Sequence, residues 1–270
     1  MPHGKGARRS SATALAARLD VTRHVGVSAA LATALPASFD LLPRIPSVAD
    51  QGSTPCCFAH STAWATAVAF NGALYVPSPK LIAAGATAID RGTMGVATPL
   101  DDEGGTIESV NAFCAQFGVM PMGPSVEGRN SDVSLGNMND EINMADLNAA
   151  GQRILTGQYG VDPAGANVSD TLAAALVAGL PIVTTFFCDS AFEALGGDMV
   201  AAAPDMSDPN GGGHAVYLSG YEEQNGERVF WLSNSWGASW CQGGRCLVSL
   251  AWLAKVWELW PWAVAKGVLT

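Results

Sequence analysis

Charge is scarce in this chain. Lys, Arg, Asp and Glu make up 14% of its 270 residues, and acidic residues outnumber basic ones 24 to 14. The formal charge of −10 argues against sequence-independent nucleic-acid binding by the body of the protein. Histidines number four and are scattered, and the six cysteines form no CxxC pair. HExxH, the phosphate-binding Walker loop and the EF-hand loop are all absent, so no metal or other cofactor is expected. Six cysteines are too few for a disulfide-built scaffold. No apolar run is long and unbroken enough to cross a bilayer.

Apolar residues, by contrast, make up 49% of the chain, enough for a large core. The length suits one two-lobed unit. Residues 1–24 carry Lys5, Arg8, Arg9, Arg18 and Arg23 against Asp20 alone, so a basic, Ala-rich arm (1–36) precedes an acidic body (37–270). Its start weakly imitates a secretory signal, but Arg18, Asp20, Arg23 and His24 interrupt the apolar stretch that export needs. The arm reads instead as an amphipathic segment for docking onto a partner. A cytoplasmic setting or a place in a larger assembly is favoured over secretion.

Thr54 and Pro55 suit the N-cap and first position of a helix running to Phe70, which has no polar face and should be buried. Further helices are expected at 79–90, from Gly104-Gly105 to Gly118, and at 170–179. Residues 120–167 read as a long irregular connection. Strands are expected at 182–187, 215–221, 229–232 and 246–250. Helices first and strands after indicate an α+β fold: a helical lobe (about 47–165), a β lobe (about 166–250) and a C-terminal segment (251–270), with a cleft between the lobes.

The chemistry centres on Cys57. A thiol in the first turn of a helix faces the positive end of the helix dipole, which favours the thiolate. His214, after three glycines and at the start of a strand, offers an imidazole to take the thiol proton. Asn234 follows the next strand and can orient that imidazole, with Trp236 shielding the bond between them from water. Gln51, six residues before Cys57, is placed to join the Cys57 N–H in an oxyanion hole. His60 is the competing base, but it lies on the same helix as Cys57 and points along it rather than across a cleft.

Asp50-Gln51-Gly52-Ser53-Thr54-Pro55-Cys56-Cys57-Phe58-Ala59 resembles the nucleophile segment of the papain-like cysteine peptidases. Gly213-His214-Ala215-Val216 is similar to their histidine segment, and Asn234-Ser235-Trp236-Gly237 to their asparagine motif. Gly104-Gly105 resembles the pair whose backbone holds an extended substrate. The resemblance covers roughly residues 37–250 and implies a two-lobed fold with a cysteine peptidase activity. Cys57 is then the nucleophile, His214 the proton shuttle, Asn234 its orienter and Gln51 an oxyanion donor. It further implies that Thr185, Gly213, Ala215 and Trp236 help to bind a peptide or protein substrate, with Thr185 and Ala215 favouring an apolar side chain two residues before the cut.

The pattern also has departures. Phe58 replaces the usual Trp, Cys56 replaces a small residue, and the disulfide beside the nucleophile is missing at Thr54 and at Asp101-Asp102-Glu103. The arm is too short for the family's long inhibitory segment, which implies either an enzyme made active or an arm with another role. Two alternatives share the fold: a non-catalytic structural or peptide-binding component of an assembly, and an acyl or amide transferase using the same site. Cys56–Cys57 and Cys241–Cys246 are the pairs open to oxidation, whereas Cys114 and Cys188 read as inert core residues. The sequon Asn167-Val168-Ser169 carries weight only in a secreted chain.

Overall fold

The computed structural model describes residues 5–70, 76–93, 104–119, 154–197 and 200–266. The reading of 120–153 as irregular and the motif 101–103 lie outside the described residues. The arm carries its own elements: β1 (Ala7–Arg8), α1 (Ala12–Ala17), β2 (Leu19–Asp20) and α2 (Val25–Leu31). After β3 (Ser38–Asp40) come the helices of the first lobe, α3 (Cys57–Ala69), α4 (Pro79–Arg91) and α5 (Ile107–Phe117), with β4 (Gly105–Thr106) leading into α5.

As its sequence requires, α3 is buried from Cys57 to Val68. Its hydroxyls are satisfied within the helix: Thr62 Oγ1 donates to the Phe58 carbonyl at 2.9 Å, and Thr66 Oγ1 to that of Thr62 at 2.7 Å. The helix begins two residues later than Thr54 and Pro55 suggest. Thr54 instead closes a turn, its N–H and hydroxyl both donating to the Gln51 carbonyl, so Cys57 is the first helical residue and not the third. The other two helices have regular ends. Ser78 caps α4 and Gly92 stops it at φ 65°, while Thr106 caps α5 by accepting from the Ser109 N–H at 3.1 Å.

The second lobe contains β5 (Ile154–Gly160), α6 (Val168–Val177), β6 (Ile182–Cys188), α7 (Ser190–Glu193), β7 (Val200–Ala201), β8 (Gly212–Gln224), β9 (Glu227–Ser233), β10 (Arg245–Val248), α8 (Leu250–Leu253) and β11 (Glu258–Lys266). One mixed, mostly antiparallel sheet runs β2-β5-β11-β6-β8-β9-β10-β7, and β3 also pairs with β8. Helices and sheet together form the α+β, two-lobed fold expected.

Beside several two- and three-residue strands, two long ones, β5 and β11, were not read from the sequence. Pro261 obscures β11, because a proline cannot donate to a ladder. The strand tolerates it by changing partner at that point: residues 258–261 pair with β6 and residues 262–266 with β5. The β8–β9 hairpin turns at Asn225-Gly226, both with positive φ, a two-residue signal legible in the sequence.

Candidate active site

Three backbone contacts lock the turn before Cys57 to the loop after β9. Gln51 N–H donates to Ser235 at 2.9 Å, Gly237 N–H to Ala49 at 2.9 Å, and Asp50 bridges Trp236. Asn234 is held in turn by its N–H to Gly244 at 2.9 Å. Local turns thus bring segments more than 180 residues apart into one register.

His214 opens the buried stretch of β8 and is itself fully buried. Its Nε2 lies 2.8 Å from Asn234 Oδ1, which also accepts from the Ser235 N–H at 2.8 Å, so the carbonyl oxygen has a fixed aim. Trp236 stacks on the imidazole with ring centroids 4.6 Å apart. It is buried against Phe192 and Trp240, covering the His214–Asn234 pair rather than lining open space. Ala215, the next residue of β8, hydrogen-bonds through its backbone to the Cys57 sulfur. His60 is turned away, with Nδ1 3.1 Å from the Cys56 carbonyl and its ring stacked on Trp64. Burial pushes its pKa down to about 4.

Gln51 is more constrained than its sequence position suggests. Its Nε2 donates to the Thr54 carbonyl at 2.7 Å, and its Oε1 accepts from the Ser235 hydroxyl. The Gln51 side chain is thus tied both to the turn before Cys57 and to the loop after β9. All six cysteines are free thiols, including the Cys56–Cys57 and Cys241–Cys246 pairs.

What occupies the cleft is the chain's own arm, which no local pattern announced. Strand β1 pairs with β4 in parallel, Ala7 opposite Gly105, and Gly105 N–H donates to the Gly6 carbonyl at 2.8 Å. The glycines make this possible. A Cβ at Gly104 (φ 70°) would overlap the Gly6 carbonyl, and one at Gly213 would overlap the Ala7 carbonyl. Gly104, Gly105 and Gly213 therefore do hold an extended strand, and that strand is residues 6–8. Lys5 anchors one end, 2.5 Å from Glu193 and 2.8 Å from the Asn210 carbonyl. Arg8 meets Asp90 at 2.5 Å, and Ser11 donates to Glu108 through N–H and hydroxyl at 2.8 and 3.1 Å.

Covering the sulfur changes the balance between thiol and thiolate. Burial pushes the Cys57 thiol up, and hydrogen bonds from the backbone of Ala215, Gly6, Phe58 and Ala7 offset only part of that. Desolvation outweighs the helix N-terminus because the arm excludes water from the sulfur. The closed cleft therefore disfavours the Cys57 thiolate.

Thr185 is buried in β6 beside Ala215, and its hydroxyl donates to Glu258 Oε1 at 2.6 Å. Glu258 was missed by sequence reasoning. Its signal is a lone carboxylate inside the apolar run 256–264.

Residues 146–250 match the family model described as papain family cysteine protease, a stretch that contains His214 and Asn234 but not Cys57. Among curated protein sequences no match was found. Solved structures with a similar fold include xylellain, a cysteine protease from Xylella fastidiosa, at 20% identity and TM-score 0.66, covering 98% of this chain and 97% of that one. Digestive procathepsin L 3 of the Tenebrio molitor larval midgut is 19% identical with TM-score 0.61, covering 94% of this chain and 76% of that one. Bromelain from Ananas comosus is 17% identical with TM-score 0.57, covering 86% and 100% respectively. The fold of the whole chain and the family match over its second lobe are both similar to those of papain-like cysteine peptidases, in agreement with the resemblance in its sequence.

Proposed function

We propose that the chain is a cysteine peptidase that its own arm holds closed. The observation that carries this reading is the convergence of Cys57, at the first position of a buried helix, with the 2.8 Å His214–Asn234 pair on the strand that also hydrogen-bonds the sulfur. With the arm displaced, water reaches the sulfur and the desolvation that favours the thiol falls away. His214, aimed by Asn234, takes the thiol proton. The thiolate then adds to the substrate carbonyl, and the oxyanion is met by the Cys57 N–H and the Gln51 side-chain amide. Collapse of that intermediate expels the amine with the proton from His214, leaving a thioester. Water activated by the same imidazole cleaves the thioester and restores the thiol.

The test is hydrolysis of a library of internally quenched peptides by the full chain and by Cys57→Ala and His214→Ala. Turnover that is lost in both variants while their thermal transitions stay intact supports the reading. Turnover unaffected by Cys57→Ala rejects it. The strand seated in the cleft favours a second reading, a peptide-binding component without turnover. Peptide binding with no hydrolysis in any form of the chain would select it.

A further inference from the structure

Five of the six thiols are buried, and Cys241 alone is only partly covered. It stands at one end of the turn Gln242-Gly243-Gly244-Arg245, and the buried Cys246 of β10 stands at the other. Gln242 and Arg245 exchange N–H bonds of 3.0 and 3.3 Å, and the glycines between them take φ 63° and 85°, the positive pair of a two-residue hairpin turn. Cys241 and Cys246 are thus the next residues outward from a hydrogen-bonded pair. In an antiparallel ladder that next pair has its Cα atoms about 4.5 Å apart. A disulfide spans roughly 4.4–6.8 Å. The nearness of the two thiols also shows in their electrostatics: burial pushes Cys246 well up, and Cys241 adds to the rise.

Cys241 takes φ 44°, a left-handed conformation that cysteine rarely adopts. A glycine would sit there without strain, so the thiol occupies the position at a local cost. The turn is also the mount of the candidate site. Gly244 donates to the Trp240 carbonyl at 2.8 Å and accepts from the Asn234 N–H at 2.9 Å. Trp240, next to Cys241, packs on Trp236, which in turn covers His214.

The geometry points to a reversible Cys241–Cys246 disulfide that staples this turn beside Asn234, with a small-molecule disulfide as the oxidant. The Cys241 thiolate attacks one sulfur of that reagent, whose S–S bond breaks and releases one small thiolate. Cys246, once deprotonated, attacks the Cys241 sulfur of the mixed disulfide and expels the second. The two protons given up by the cysteines end on the two small thiols, so the chain loses two electrons and the reagent gains them. Access sets the order: Cys241 meets the reagent, whereas Cys246 reacts only with a sulfur delivered beside it. Closure takes the Cys241 sulfur from the Gly197 carbonyl, 3.2 Å away in the reduced chain. The staple forms whether or not the cleft turns over peptides.

The test incubates the reduced full chain with oxidised glutathione at mildly alkaline pH, blocks the remaining thiols with N-ethylmaleimide and maps the peptides by mass spectrometry. Cys241 and Cys246 should lose maleimide labelling together and appear as one bridged pair that dithiothreitol reopens. Cys246→Ser should stop at a glutathione adduct on Cys241, and Cys241→Ser should take up none at Cys246. The oxidised chain should melt about 2–8 °C above the reduced one. Hydrogen exchange in the segment around Asn234 should slow at least about threefold. An adduct that stays on Cys241 of the unmodified chain, a bridge to any other cysteine, or a closed pair that leaves melting or exchange unchanged would overturn the proposal. Should Cys246→Ser lose its thermal transition, Cys241→Ser at the partly covered position decides. Oxidised glutathione must then leave its melting temperature unchanged, and a rise of the same size would equally overturn the staple.

Discussion

The closed cleft can be opened from the arm alone, without touching the site. A Cβ added at Gly6 would lie 2.7 Å from both the carbonyl carbon and the Cβ of Pro55 and would overlap its carbonyl oxygen. To reach ordinary contact distance the strand must back away by roughly 1 Å, which overpacking data price at about 1–3 kcal/mol. That retreat also stretches the 2.8 Å bond from Gly105 N–H to the Gly6 carbonyl beyond hydrogen-bonding range. The lost bond adds about 1 kcal/mol. Together, about 2–4 kcal/mol shifts the balance of seated and withdrawn arm by about 30- to 1,000-fold. Opening also removes the burial that favours the thiol, so the thiolate fraction at neutral pH rises and both effects act in one direction. The assay is the rate of Cys57 carbamidomethylation by iodoacetamide at pH 7, read by peptide mass spectrometry. Gly196→Ala is the control, because a Cβ there meets nothing within 4 Å. Should Gly6→Ala and the unmodified chain label Cys57 at the same rate, the arm is not what covers the thiol in solution, and the reasoning is wrong.

Asn234→Ala removes the acceptor that aims His214 and the Ser235 N–H together; peptide turnover should fall at least about tenfold with a nearly unchanged KM, checked by steady-state kinetics. His60 has its pKa lowered from 6.5 to about 4, so between those values the unfolded chain binds more protons than the folded one. Stability should therefore decline as pH falls from 6.5 toward 4, by up to about 3 kcal/mol from this group, and urea melts of His60→Asn should show a shallower acid slope. Asp40 holds Arg245 through two bonds of 3.0 and 2.8 Å, and Arg245 also lies over the Trp231 ring. Asp40→Ala strands that guanidinium and should cost about 1–3 kcal/mol in denaturant unfolding, whereas an unchanged midpoint would show the pair to be inert.

What the sequence determined by itself was local. Each of Cys57, His214 and Asn234 lies in a short segment whose chemistry is written in its neighbours, and α3 declared its burial by having no polar face. The segregation of helix-like texture in the first half from strand-like texture in the second was enough for two lobes, since packing follows from which faces are apolar. The tertiary structure decided everything that depended on contacts between distant segments. Strand β11 was hidden because Pro261 is tolerable only where the strand exchanges β6 for β5, which no local pattern records. Glu258 meets Thr185, and through it the row of Ala215, only through the register of three strands. The path of the arm was the largest surprise: its charges suggested a separate partner, yet Lys5 and Arg8 are met by Glu193 and Asp90 of the same chain. That path bears on the nucleophile too, for the helix start that favours a thiolate is a local feature, while the desolvation that opposes it comes with a strand 50 residues upstream in the sequence.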